Sequence, residues 1–171
     1  MNNVRKRRSI RLPAYDYSQS GYYFVTLCTF NRKYLLGKID GGEMILSRSG
    51  VIVSKFWELV SRYDENIVLD RFIVMPNHIH GIIQIKVGAI HELPLQSRRQ
   101  MLLPKIIGKF KMTSAKKINN LLSRGGNPFW QRNYYEHIIR SYESLDKIRE
   151  YVDKNIANWQ TDKNNLINIK K

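Results

Sequence analysis

The sequence predicts an α+β fold in which a single antiparallel sheet has helices packed on it. Short segments rich in β-branched and aromatic residues are joined by tight connections, and such strands pair antiparallel. Longer segments place their apolar residues three and four positions apart, which indicates amphipathic helices packed on that sheet. The 171 residues suit one domain. The elements are predicted in the order β-β-α-β-β-α-β-α.

The first half of the chain contains four predicted strands and one helix. Residues 22–30 (YYFVTLCTF) form the first strand, and Gly41 and Gly42 make a turn. We expect a short strand at 44–46 to pair back to the first strand. Apolar spacing predicts a helix over 47–63. Strands follow at 66–74 and 79–85, with a break at Pro76 and Asn77 between them.

The second half opens with residues 86–100, which lose all periodicity and are expected to form a surface loop. A helix is predicted over 102–122, a strand over 134–139 and a last helix over 144–159. These elements define three regions. They are a basic N-terminal arm at 1–20, a central domain at 21–160 and a polar, frayed C-terminal tail at 161–171.

The charge balance favours an anionic polymer as the partner. The chain has 29 Lys and Arg residues against 14 Asp and Glu residues, a formal net charge of +15. Nucleic acid fits this excess best, whereas a membrane surface and a ribosomal association stay open. The basic residues that we expect to contact DNA phosphates lie in the arm, in the helix at 102–122 and after it: Arg5, Lys6, Arg7, Arg8, Arg11, Lys105, Lys109, Lys116 and Arg132.

The single cysteine and the lengths of the apolar runs indicate the cellular compartment of the protein. Cys28 is alone, so no internal disulfide or cysteine-rich zinc site can form, and a reducing compartment is the natural interpretation. No apolar stretch follows the basic N-terminus as it would in a signal peptide. No run approaches the ~18 apolar residues of a membrane-spanning helix. We therefore expect a cytoplasmic protein with no membrane partner.

The sharpest motif is VMPNHIHG at residues 74–81. Side chains alternate along a strand, so His78 and His80 should point the same way and form half of a metal site. The alternative is a pair of histidines on a solvated or DNA-contacting strand face. Two other enzyme classes fail on residue count. A histidine-triad hydrolase needs a third alternating histidine where Ile82 stands, and a zincin needs a histidine where Leu95 stands.

The second motif is Tyr151 followed four residues later by Asn155. Positions i and i+4 share one helical face, so a phenol and an amide oxygen would be presented together. By position alone Tyr134, Tyr135 and Tyr142 are equally plausible nucleophiles, and ordinary packing explains most tyrosines.

Together these motifs resemble the REP-associated tyrosine transposases, within the single-tyrosine HUH transposases. The matching segments are residues 23–26 with 31–32, 74–81, 130–140 and 148–155, and they cover about 20–157. The resemblance implies a ferredoxin-like HUH endonuclease fold over the central domain. One departure is Ile156, which replaces a proline often found there, so the last helix can continue to 159.

The resemblance also implies roles. His78 and His80 would bind Mg²⁺ or Mn²⁺, Asn155 would complete the metal site, and Tyr151 would be the nucleophile. The enzyme would cut and rejoin single-stranded or hairpin DNA, expected to be a palindromic repeat, through a 5′-phosphotyrosine, as a monomer or a homodimer. Two alternatives stay open: a metal-dependent phosphodiesterase that activates water, and a repeat-DNA-binding module that does not cleave.

Overall fold

The computed structural model describes residues 20–86, 102–123 and 125–168. Within these residues, six strands and three α-helices follow one another: β1 (Gly21–Cys28), β2 (Gly37–Asp40), β3 (Glu43–Leu46), α1 (Arg48–Glu58), β4 (Ile67–Met75), β5 (His78–Ile85), α2 (Leu102–Leu121), β6 (Tyr135–Ile139) and α3 (Tyr142–Asp153). Short 3-10 helices lie at Phe30–Arg32, Leu59–Arg62, Trp159–Thr161 and Leu166–Asn168. The predicted loop at 86–100 falls almost wholly outside the described residues, as does the basic arm.

The main sheet has four strands in the order β4-β5-β1-β6, and every neighbouring pair is antiparallel. The predicted fold class, an antiparallel sheet with packed helices, is therefore confirmed. In the register of β1 against β5, Thr26 lies opposite His80 and Cys28 opposite His78. The sheet thus brings the two histidines beside polar residues of β1.

The predicted pairing of residues 44–46 with the first strand is wrong. This segment is β3, which pairs with β2 in a separate two-stranded sheet. Asp40 lies opposite Glu43, and the two intervening glycines have φ angles of 59° and 81°. Positive φ at both central residues is the signature of a tight hairpin turn, which joins adjacent segments at small entropic cost. The local hairpin therefore forms in place of a pairing with the distant β1.

The two faces of the sheet carry different layers. One face packs on α1 and α2 through a large apolar cluster that includes Tyr23, Val25, Leu27, Ile79, Ile83, Trp57, Ile107 and Phe110. The opposite face packs on α3 through a smaller cluster of Phe24, Ile82, Ile139, Leu145 and Val152. His78 and His80 alternate with Ile79, so they lie on the α3 side. Among the described residues, no helix is long and apolar enough to cross a membrane.

The last helix differs from its predicted bounds. It begins at Tyr142, where the Ser141 side chain caps the backbone N–H of Ser144, and it ends at Asp153, so the expected continuation to 159 is wrong. The backbone N–H of Asn155 bonds the carbonyl of Val152, a tighter turn than an α-helix makes. These tighter turns carry the chain to Trp159, whose ring packs against Tyr34.

The expected fraying of the tail is wrong for residues 161–168. Asp162, Asn164 and Asn165 are all buried. The Tyr34 hydroxyl donates to the side-chain oxygen of Asn165 at 2.6 Å, which ties the tail to the loop after β1. A polar segment can stay ordered when its side chains have hydrogen-bond partners in the fold. The composition that suggested fraying instead reflects buried polar contacts.

Candidate active site

The two histidines of β5 lie side by side in the interior. The Nε2 atoms of His78 and His80 are 3.0 Å apart, and both side chains are buried. The prediction that they share one face of the strand is confirmed. The ring of Phe24 stacks on His80 with a centroid distance of 5.1 Å, which fixes one side of that imidazole.

The other ring nitrogen of each histidine has a hydrogen-bond partner. Nδ1 of His78 lies 2.8 Å from Oδ1 of Asn77, and Nδ1 of His80 lies 2.8 Å from the Thr26 hydroxyl. The Asn77 amide nitrogen donates to the carbonyls of Arg32 and Asn164, so its oxygen must accept from His78. His78 therefore carries its proton on Nδ1 and presents the Nε2 lone pair, as metal-binding histidines do.

Both imidazoles are held neutral. Burial lowers the pKa of His78 to about 3, and the positive charges of Arg32 and Lys163 act in the same direction. Burial also lowers the pKa of His80 well below its usual value, with further contributions from His78 and Lys163. A neutral imidazole binds a cation without first losing a proton. At neutral pH His78 thus offers its Nε2 lone pair, and His80 offers its own when its ring proton lies on Nδ1 and is donated to the Thr26 hydroxyl.

Tyr151 of α3 reaches this pair. Its hydroxyl is 3.3 Å from Nε2 of His80, and its ring packs edge-on against Phe24 and His80. Burial raises the pKa of the Tyr151 phenol, an interaction with the Asn155 amide lowers it, and the Asp162 carboxylate raises it. Arg149, on the same helix, donates to Asp70 of β4 at 2.6 Å and holds α3 against the sheet. The structure thus places Tyr151 at the histidines.

The other tyrosines considered are placed differently. Tyr142 is 80% exposed at the start of α3. Tyr135 lies on β6 with its ring 6.5 Å from that of Phe24. Tyr134 is partly buried against the apolar cluster on the α1 and α2 face. These placements make Tyr151, with its hydroxyl 3.3 Å from Nε2 of His80, the strongest candidate of the four.

Two oxygen-bearing residues are buried in this region, and one of them, Asp162, was not predicted from the sequence. Asn155 is buried, and its Oδ1 has no hydrogen-bond partner within the described part of the chain. Asp162, in the tail, places a carboxylate oxygen 3.8 Å from Nε2 of His78. The ligand atoms of His78, His80 and Asp162 lie within 4.8 Å of one another. Trp159, a large and buried apolar residue in a polar segment, is a sequence signal that this region folds inward.

This donor set fits a divalent cation. It brings together two neutral imidazoles and a carboxylate oxygen. The Asn155 amide oxygen, from a residue that interacts with Tyr151, is buried without a partner among the described residues. Burying an acceptor that has no donor costs free energy, and a cation would remove that cost. The chemistry of these donors therefore suits a divalent metal ion.

The predicted DNA-contacting residues are spread over the molecule. Lys105, Lys109 and Lys116 lie on the outward side of α2, on the sheet face opposite the histidines. Arg132 is exposed in the segment before β6. Arg5, Lys6, Arg7, Arg8 and Arg11 lie outside the described residues. Two basic residues nearer the site were not predicted, namely Arg32 and Lys163, whose charges act on His78.

Comparison with known proteins gives consistent matches. The model of the IS200-like transposase family matches residues 18–155. An uncharacterized protein of Haemophilus influenzae is 39% identical over 172 residues, and the alignment covers 93% of this chain and 93% of that protein. A solved REP-associated tyrosine transposase bound to a REP hairpin aligns with a TM-score of 0.58 at 17% identity, over 81% of this chain and 68% of that one. At that identity the last match shows a shared fold.

Proposed function

The chain belongs to the IS200-like transposase family, and from its site we propose a metal-dependent DNA endonuclease and strand transferase whose nucleophile is Tyr151. The proposal rests on one observation. The Tyr151 hydroxyl lies 3.3 Å from Nε2 of His80, and that nitrogen lies 3.0 Å from Nε2 of His78. The expected substrate is single-stranded or hairpin DNA. The REP hairpin bound by the solved relative and the charge of +15 both support a DNA substrate.

The proposed metal ligands are Nε2 of His78, Nε2 of His80 and Oδ1 of Asn155, with Asp162 as a further oxygen donor. A bound Mg²⁺ or Mn²⁺ would polarise the scissile phosphate and neutralise charge that develops on its oxygens. Asn77 and Thr26 hold the two imidazoles in orientation through their Nδ1 atoms. The proposal thus gives each of these polar side chains a role in the site.

Tyr151 performs the covalent step. Its oxygen forms a bond to phosphorus, the bond from phosphorus to the 3′ oxygen breaks, and that oxygen leaves as a 3′ hydroxyl after taking up a proton. The phenol proton passes to solvent. The product is a 5′-phosphotyrosine, and a 3′ hydroxyl of another strand can reverse the step without ATP because the ester bond is conserved. This is the chemistry that a strand transferase needs.

Replacement of Tyr151 by Phe tests the proposal, because it removes one oxygen and little packing. With Mn²⁺ and end-labelled hairpin DNA, the wild-type protein should give a covalent adduct that survives denaturing electrophoresis. Tyr151→Phe should give neither adduct nor cleavage, while DNA affinity stays within about twofold, since binding rests on the basic surface. Tyr142→Phe, on the same helix, is the matched control and should behave as wild type.

The other outcomes identify the competing functions. An adduct formed by Tyr151→Phe would move the nucleophile to another tyrosine. Cleavage without an adduct would favour a phosphodiesterase that activates water, and binding without cleavage by the wild-type protein would favour a non-cleaving module. Asn155→Leu and Asp162→Asn test whether each of these residues is an oxygen ligand of the metal. Loss of a true ligand should weaken Mn²⁺ binding more than tenfold.

A further inference from the structure

A cavity of about 310 Å³ opens beside the histidine pair. Its walls come from β1 and the loop after it, from the segment that leads into β6, and from the tail. Thr26, which bonds His80, forms part of the wall, so the cavity adjoins the proposed reaction centre. Its volume is at the lower end of the range for small-molecule sites, which suits one nucleotide-sized ligand.

One wall presents a buried donor without an acceptor. The side chain of Asn164 is buried, and its Nδ2 has no hydrogen-bond partner among the residues described. Its Oδ1 is already used, because it accepts from the Arg32 guanidinium at 2.7 Å. A buried amide donor left unpaired is costly, and an acceptor oxygen or ring nitrogen of a ligand would satisfy it. Nucleic-acid bases and phosphates carry such acceptors.

The same cavity carries positive charge on a fixed backbone. Arg32 and Lys163 line it. Arg32 and its neighbour Asn31 have φ angles of 52° and 54°, a left-handed conformation that is uncommon for residues with side chains. Asn77 bonds the Arg32 carbonyl and Asn164 bonds its guanidinium, so this conformation is held from both ends. The guanidinium is thereby positioned for an anionic group.

The remaining walls suit a base. Tyr135 lies on β6, an edge strand, and is 45% exposed, with the Lys163 ammonium 5.5 Å from its ring centre. The side chains of Gln131 and Asn133 also line the cavity. Proteins that read single strands combine these elements: an aromatic ring contacts the base, amides meet its edge, and basic groups hold the phosphate.

We propose that this cavity binds one unstacked nucleotide of the DNA strand beside the cleaved phosphate, with its base against Tyr135 and a phosphate on Arg32 and Lys163. The inference rests on the proposed function, and it adds a base-recognition site to the reaction centre. The orphaned amide of Asn164 donates to the bound nucleotide. Binding of a single strand by this protein therefore depends on its bases as well as on its phosphates.

The full-length protein and two fluorescein-labelled strands test the proposal: dT8 and an eight-unit strand of abasic residues with the same phosphates. The wild-type protein should bind dT8 at least tenfold more tightly than the abasic strand. Tyr135→Leu should reduce that ratio about tenfold, the worth of one base–aromatic contact. Tyr142→Leu, an exposed tyrosine outside the cavity, is the control and should keep the wild-type ratio.

A second variant separates the phosphate contact from the base contact. Arg32→Gln should lower the slope of log Kd against log salt by about 0.7 for single strands, while Arg48→Gln, on the opposite side of the sheet, should leave it unchanged. Thermal denaturation checks that each variant is folded. If Arg32→Gln unfolds, Tyr135→Leu still tests the proposal, because Tyr135 is exposed and its replacement should not disturb the fold.

Two results would overturn the proposal that the cavity binds a base. The first is equal affinity of the wild-type protein for dT8 and the abasic strand. The second is a ratio of these affinities that Tyr135→Leu leaves unchanged. If the phosphotyrosine adduct still forms, only the pocket fails. If the protein binds neither strand and forms no adduct, the proposed function fails as well.

Discussion

Asn77 should be the residue whose loss disturbs the site most without removing a proposed ligand. Its side chain is fully buried and makes three hydrogen bonds, to His78, to the Arg32 carbonyl and to the Asn164 carbonyl. These bonds join β5, the loop after β1 and the tail. Replacement by Ala removes all three at once and leaves a ring N–H and two carbonyls without partners.

The magnitude follows from those three groups. A buried polar group left without a partner costs about 1–3 kcal/mol, and part of that cost is relieved where water enters, so Asn77→Ala should lower the free energy of unfolding by about 3 kcal/mol. The metal site should suffer separately, because His78 loses the partner that orients it. Outer-sphere partners of this kind are worth about 10–100-fold in metal affinity.

Asn77→Asp separates the two effects. The carboxylate keeps an acceptor for His78 but has no donor for the carbonyls of Arg32 and Asn164. Urea denaturation should therefore show a loss of stability in both variants, whereas calorimetry with Mn²⁺ should show a loss of affinity in Asn77→Ala alone. The reasoning is refuted if Asn77→Ala loses less than about 1 kcal/mol, or if the two variants bind Mn²⁺ equally weakly.

Two further predictions concern stability. Because burial lowers the pKa of His78 from 6.5 to about 3, the unfolded state binds more protons between these values. The metal-free protein should therefore lose about 2 kcal/mol for this histidine as pH falls from 7 to 5, and a flat profile of urea denaturation in EDTA would contradict this. Gly81→Ala should cost about 1–3 kcal/mol, since a Cβ there would lie 2.2 Å from a ring atom of the buried Trp57. Gly108→Ala, on α2, meets nothing within 4 Å and should stabilise the helix by about 0.5–1 kcal/mol; equal effects on the melting temperature of both variants would refute the packing argument.

The parts of the fold that the sequence predicted depend on local periodicity. The orientation of His78 and His80 follows from the two-residue period of a strand, which no tertiary contact can change within a regular ladder. The meeting of Tyr151 and Asn155 follows from the four-residue spacing, and it persists although α3 ends at Asp153. A short turn continues the same winding far enough to keep the two side chains together.

What the sequence did not predict depends on contacts between distant segments. β2 is short and carries Lys38 and Asp40, so apolar alternation does not reveal it, and its pairing comes from a two-residue turn. Asp162 lies more than eighty residues along the chain from His78, in a polar segment whose order depends on bonds to Asn77 and Tyr34. Local composition carries no record of such bonds, and only the folded chain brings this carboxylate to the histidines.

The ionisation of Tyr151 shows why these distant contributions matter for the proposed chemistry. A phenol with an ordinary pKa is only about 0.1% ionised at pH 7. Burial and the nearby Asp162 raise this pKa, so Tyr151 alone is a poorer nucleophile than a free tyrosine. Positive charge must offset both effects during attack. A cation bound by His78 and His80 would supply it, since Nε2 of His80 lies 3.3 Å from the Tyr151 hydroxyl. In the proposed enzyme, the burial that suppresses ionisation of Tyr151 also keeps the two histidines ready to bind the cation that reverses it.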